Sequence, residues 1–188
     1  MKVVIFFVGN TVNNPVWGRY IGGGLIFTGD SNCENRNSID AFFSRSGEVF
    51  SRREFTDSTI KKYSEEGLEV EFLQLYVDEE EARKIRATCE ACAITRKPFN
   101  MRDVFLMLLP FRDPEEISLF EAETLNNTQA IILILRECLN KENPLRMGLE
   151  GLNSRNTFLD NLYDRFAPYA LPVLWCNLIG GVVGGMRE

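Results

Sequence analysis

Cys89-Glu90-Ala91-Cys92 is the one spacing in these 188 residues that could hold a metal ion, since C-x-x-C pairs supply half of many zinc sites. The other half is missing. Cys138 and Cys176 stand alone, and the chain contains no histidine. A thioredoxin-like redox pair is disfavoured as well, because it should open a helix after a strand, where the helix terminus lowers the thiol pKa. Cys89 and Cys92 instead fall three apart on an apolar helical stripe, and free cysteine is among the most buried residue types. They are expected to be reduced, buried and metal-free. The absence of histidine also removes the usual base of Ser-His and Cys-His catalysis.

Gly22-Gly23-Gly24 continues into neither G-x-x-x-x-G-K-[ST] nor G-x-G-x-x-G followed by a helix, so a phosphate cradle is not indicated. A strand approached closely by another backbone accounts for these glycines better. The carboxylate clusters Asp113-Pro114-Glu115-Glu116 and Glu121-Ala122-Glu123 lack flanking aromatics and read as solvated loops. The most informative polar group is Asn126-Asn127-Thr128-Gln129, which opens the run Ala130-Ile131-Ile132-Leu133-Ile134-Leu135. A buried helix starting there would present free N–H groups and a partial positive charge. Thiol hydrolases use such a terminus to stabilise a thiolate. The capping-box spacing of Asn126 and Gln129 gives a structural account of the same residues. Thr128 with a carboxylate such as Asp40 is the remaining catalytic option, and a hydroxyl is far harder to ionise than a thiol.

The elements that must position these groups are strands in the first seventy-odd residues and mainly helices afterwards. Val3 to Val8 is a continuous apolar run, the pattern of a strand buried on both faces. Tyr20 to Phe27 is a second strand, and Ser38 to Phe43 with Glu48 to Arg53 flank a hairpin turn at Ser44-Arg45-Ser46-Gly47. Leu68 to Val77 alternates but shifts phase by one residue, which predicts a bulge or a change of burial. Asp78 and Glu81 form a capping box for a helix whose face carries Ala82, Ile85, Cys89, Cys92 and Ala93. A short helix is expected from Asn100 to Pro110. The helix opened by Asn126 must be covered nearly all round, and Asn156 to Phe166 is amphipathic through Leu159, Leu162, Tyr163 and Phe166.

The 21 Lys and Arg against 27 Asp and Glu give a net charge of −6. That argues against nucleic acid, whose affinity comes mostly from Lys and Arg on phosphates, and against an electrostatic hold on anionic membranes. Five scattered cysteines in a chain large enough to need no staples suit an intracellular, reducing compartment. The N-terminal apolar run is shorter than a signal-peptide core. Ala170 to Met186 is apolar, but Pro172, Asn177, Gly180-Gly181 and Gly184-Gly185 interrupt it, so no membrane span is expected.

Taken in order, these elements resemble the circularly permuted papain-like fold of NlpC-type hydrolases, which includes the lecithin:retinol acyltransferase-like proteins. Tyr20 to Phe27 fits the strand that carries the family's histidine, Ser38-Ile39-Asp40-Ala41-Phe42 its "I-E-A" strand and Gly47-Glu48-Val49-Phe50 its "G-V" strand. Val77 to Ala82 fits the lead into a charged helix. Pro98-Phe99-Asn100 with Asp103 fits its "P-Y-N-x-x-D-L" helix, and Asn126 to Leu139 its buried cysteine helix. The match covers about residues 1 to 140. It breaks at the active site, where the histidine position falls within Gly22 to Gly24 and the cysteine position on Asn127 or Thr128.

The resemblance therefore implies an α+β domain over residues 1–168, an antiparallel sheet packed on a buried central helix, followed by an apolar Gly-rich tail over 169–188. It implies a pseudoenzyme with no catalytic residue, metal or cofactor, acting as a structural or protein-interaction module. A minor component of a large viral assembly, a virion or capsid, is one setting for such a module, with the tail docking in a partner's groove. The rival expectations are a small-ligand binding domain using the vacated cleft and a hydrolase using Thr128 in place of cysteine. The resemblance also places Gly22 to Gly24 across from Asn127 and Thr128.

Overall fold

The computed structural model describes residues 1–14, 18–29, 38–45, 48–96, 98, 118–119, 122–123, 125–154 and 157–179. The expected helix at Asn100 to Pro110, Cys33, the Asp113 to Glu116 cluster and the tip of the Ser44 to Gly47 turn lie outside them. The chain is an α+β protein in which, among the described residues, six antiparallel strands form one sheet. They are β1 (Lys2–Asn14), β2 (Gly18–Thr28), β3 (Ser38–Arg45), β4 (Glu48–Thr56), β5 (Leu68–Leu75) and β6 (Ala170–Val173), in the spatial order β4-β3-β2-β1-β5-β6. No helix among the described residues is long and apolar enough to cross a membrane.

The continuous apolar run of β1 follows from its central place. Val3, Ile5 and Phe7 point into one core, while Val4, Phe6 and Val8 point into a second core on the opposite face. Beside it, β2 pairs Phe7 with Gly23 and Val8 with Gly22, and then Gly9 with Tyr20. One residue of β2 is left over at this bulge. It is Ile21, which is 54% exposed.

The phase shift in β5 is a change of burial, not a bulge. Its register against β1 runs unbroken from Asn10 opposite Leu68 to Val4 opposite Gln74. Glu69, Glu71, Leu73 and Leu75 therefore share one face, because side chains alternate along a strand. The two leucines are buried in the core, while Glu69 and Glu71 lie where helical cover ends.

The first core is closed by α2 (Glu79–Thr95), α3 (Asn127–Cys138), α4 (Pro144–Leu149) and α5 (Leu159–Phe166). Every residue of α3 from Thr128 to Leu135 is buried. Its five consecutive aliphatics and the sheet containing β5 enter one cluster, as the apolar run predicts. The capping box of α2 is present: Glu81 N donates to Asp78 Oδ1 at 2.7 Å, and Asp78 N donates to Glu81 Oε2 at 3.0 Å. Glu81 is only 2% exposed. It also accepts from Asn140 N and Asn143 Nδ2, both at 2.9 Å, and so ties the start of α2 to the turn after α3.

Two corrections concern the second face. The first seventy-odd residues are not strands alone, because α1 (Asp57–Glu65) follows β4. It has no buried residue and rests Ile60 and Tyr63 on the second core. The part of the C-terminal segment that is described, placed by the sequence in a tail for a partner, lies on its own sheet. β6 pairs with β5 from Ala170 opposite Leu75 to Val173 opposite Phe72. A short helix, α6 (Trp175–Ile179), then sets Trp175, Leu178 and Ile179 on the second core.

Candidate functional site

The N-terminus of α3 is built by its cap. Gln129 N donates to Asn126 Oδ1 at 2.9 Å, and Asn126 N donates to Gln129 Oε1 at 2.8 Å. This reciprocal pair satisfies two of the free N–H groups that a helix start leaves. Asn126, Thr128 and Gln129 are all buried. Asn127 Oδ1 and Gln129 Nε2 are buried without a hydrogen-bond partner. The polar residues picked out by sequence thus serve first as a cap, with Asn126 and Gln129 as the capping pair, as their spacing predicts.

Gly23 and Gly24 are held by backbone approach, whereas a Cβ on Gly22 would meet only the Val8 side chain, at 3.8 Å. A Cβ on Gly24 would lie 2.4 Å from the Phe42 carbonyl oxygen, and one on Gly23 would lie 2.8 Å from that of Phe6. Gly23 faces the helical core, since it pairs with Phe7. Leu159 Cδ2 of α5 lies 3.5 Å from the place its Cβ would take. Of the three glycines, Gly23 is therefore the one covered by an aliphatic side chain.

The thiols are equally committed to packing. Cys89, Cys92 and Cys138 are free and buried. Burial pushes the Cys89 thiol well up, and its cysteine neighbours add to the effect. Burial also raises Cys138, partly offset by Thr88, whose Oγ1 lies 3.3 Å from its sulfur. A raised thiol pKa keeps the neutral, non-nucleophilic form. Among the described residues, no group of three His, Cys, Asp or Glu side chains is placed to hold a metal. Asp40, the carboxylate considered as a base for Thr128, is engaged by two guanidiniums. Arg52 Nη2 reaches it at 2.6 Å and Arg86 Nη2 at 3.0 Å.

The chain matches no family model, no curated protein and no solved structure.

A second polar cluster, not picked out by the sequence, lies where β2 begins. Asp160, in the first turn of α5, accepts from Arg19 N at 2.7 Å and Tyr20 N at 2.9 Å. Gly18 makes room for it: at φ 77° it takes a backbone conformation that side chains rarely adopt, and a Cβ there would sit 2.4 Å from the Asp160 carboxylate. The clamp aims Arg19 and Tyr20 across Gly9, which pairs with both Tyr20 and Glu69. Arg19 then forms ion pairs with Glu71 and, at 3.6 Å, with Glu69. Its guanidinium also lies 5.3 Å from the Tyr20 ring centroid. The rings of Tyr20 and Tyr163 are 5.1 Å apart. Burial first, then the Glu71 carboxylate, pushes both phenols up. They stay neutral at ordinary pH and are poor acids for catalysis. Residues about 140 positions apart meet here, and no local pattern announces the contact.

Proposed function

We propose that this chain is a non-catalytic domain of the circularly permuted papain-like type that serves as a structural or protein-interaction module. The observation that carries the reading is the fate of the nucleophile. The only thiol on the buried helix, Cys138, stands at its C-terminal end, buried and held in its neutral form. It lies about 15 Å along the helix from Asn127 and Thr128, where the family's cysteine would stand. The element order supports the same reading, with β2, β3 and β4 preceding the charged α2 and the buried α3. The base position falls on glycines, and the 188 residues supply no histidine from elsewhere. Losing one member of such a catalytic unit typically costs several powers of ten in rate.

The test is turnover by the full chain. Wild type and Thr128→Ala are offered peptide, amide and ester substrates, and a thiol-directed electrophile is followed by intact mass. No turnover in either protein, with no label on Cys138 until the chain unfolds, is the expected result. Substrate turnover that Thr128→Ala abolishes would establish the threonine hydrolase instead.

A further inference from the structure

A sheet that ends in water must manage its unpaired N–H and C=O groups, and among the described residues the outer edges of β4 and β6 both do so. The outer edge of β4 carries Arg52, Arg53 and Glu54, all exposed in succession. The edge strand β6 carries Pro172, a residue without an N–H that sheets confine to their edges. A third stretch of edge is different. β5 pairs with β1 from Leu68 to Gln74, but with β6 only from Phe72 to Leu75. Leu68 to Glu71 therefore have no strand beside their outer edge among the described residues, because the chain turns into α6 at Trp175.

That open stretch is the floor of a groove of about 580 Å³. Its lining includes Ile60, Val70 and Trp175 from the second face of the sheet, and Glu69, Glu71 and Tyr163 from the helical face. A groove that meets side chains from both faces of one strand runs along the strand's edge. An added strand lies about 4.8 Å from its neighbour, rises about 3.3 Å per residue and sends alternate side chains to opposite faces. Here one set would meet Ile60, Val70 and Trp175. The other would meet two carboxylates balanced by one guanidinium, Arg19.

We propose that Leu68–Glu71 is a strand-addition site for an extended segment of another protein in which apolar and basic side chains alternate. Main-chain hydrogen bonds to the edge supply affinity, and the two side-chain rows supply selectivity. The apolar row enters the Ile60–Trp175 side of the groove, and the basic row meets the one negative charge that Arg19 leaves unbalanced between Glu69 and Glu71. The site rests on the interaction-module reading and gives that module its surface.

The full chain is titrated with the capped hexapeptide Val-Lys-Val-Lys-Val-Lys, with backbone amides followed by NMR and hydrogen exchange. Shifts and new protection confined to Leu68–Glu71 and the groove walls are expected. The Val-Glu counterpart should bind at least tenfold more weakly, and so should a peptide N-methylated at alternate amides. Glu69→Lys should reverse the preference between the two charged peptides. Protection of Leu68–Glu71 in the free monomer would overturn the proposal, because the chain then closes its own edge. Protection that grows with protein concentration alone would overturn it in favour of a second copy. Equal binding of the N-methylated peptide would overturn strand addition. None of these outcomes bears on turnover, so the non-catalytic reading stands or falls by its own assay.

Discussion

The two faces of the sheet are covered by different means. On one, α2, α3, α4 and α5 bury a continuous core around a helix whose residues from Thr128 to Leu135 are all enclosed. On the other, α1 and α6 lay partly exposed side chains over Val4, Phe6, Ile26, Phe55 and Phe72. The first face is thick and fastened by buried polar links at Glu81 and at the Asn126–Gln129 cap. The second is thin, and its link from Trp175 Nε1 to Asp57 Oδ1, at 2.5 Å, is exposed. A thick face gives the molecule its stability, and a thin face next to an open strand edge gives it a surface to offer.

If that contrast is right, truncation should separate the faces most strongly. Ile132→Ala removes a fully buried side chain from the thick core and should cost about 4 kcal/mol, counting lost transfer energy and a cavity. Trp175→Ala uncovers Phe55 and Phe72, with ring centroids 5.2 and 5.8 Å away. Because the indole is only partly buried, about 2 kcal/mol is expected. Chemical denaturation of both variants gives the ranking, and equal costs would remove the distinction between the faces.

The links should follow the same order. Glu81→Ala removes a buried carboxylate that accepts from Asp78 N, Asn140 N and Asn143 Nδ2 through part-buried hydrogen bonds, a loss of about 3 kcal/mol. Asp57→Ala cuts an exposed hydrogen bond whose donor can turn to water, so about 0.5 kcal/mol is expected. Urea midpoints at constant slope would report both.

How far the sequence could be read divides along the same line. The thick face announced itself, because burial imposes periodicity. Ala82, Ile85, Cys89 and Cys92 mark one side of α2, and five adjacent aliphatics mark the centre of α3. The caps were legible because a capping box is local, spanning three residues. On the thin face α1 is mostly polar and buries none of its residues, so it has no stripe to detect. Ala170 to Ile179 looked like a tail because strand pairing with Leu75 to Phe72 is set about a hundred positions away. The groove beside β5 has the same origin: it depends on where β6 stops, and nothing in Leu68 to Glu71 encodes that. The paired Arg19, Glu69 and Glu71 were hidden for the same reason.

Alkaline pH should weaken the thick face first. Cys89 and Cys138 have raised pKa values in the native state, chiefly through burial. Below about pH 8.5 both native and unfolded chains keep these protons. Above it the unfolded chain releases them while the native chain holds them. The unfolded state then binds fewer protons, and stability falls as pH rises, by up to about 1.4 kcal/mol per pH unit for each such thiol. Cys89→Ala should flatten that slope. Mass mapping after thiol alkylation adds the other half of the comparison. Cys176, exposed on α6, should be labelled in the folded protein, whereas Cys89, Cys92 and Cys138 should be labelled only as it unfolds.

The smallest effect expected is at the helix caps, and it tests whether the α3 terminus is structural. Asn126 accepts from Gln129 N at 2.9 Å inside the core, so water cannot replace it when the side chain is removed. Asn126→Ala should cost about 1 kcal/mol, the typical cost of a lost N-cap. The corresponding cap on the thin face is looser, with Thr56 N donating to Thr59 Oγ1 at 3.3 Å at the start of a helix that buries nothing. Thr59→Ala there should cost about 0.3 kcal/mol, because solvent reaches the freed N–H. Thr128→Ala provides the control on α3 itself, since the cap bonds run between Asn126 and Gln129 and leave Thr128 out. If Thr128→Ala destabilises the chain as much as Asn126→Ala, the terminus is fastened through the threonine. A Thr128→Ala protein that keeps its stability but loses a measured turnover would instead return the helix start to catalysis.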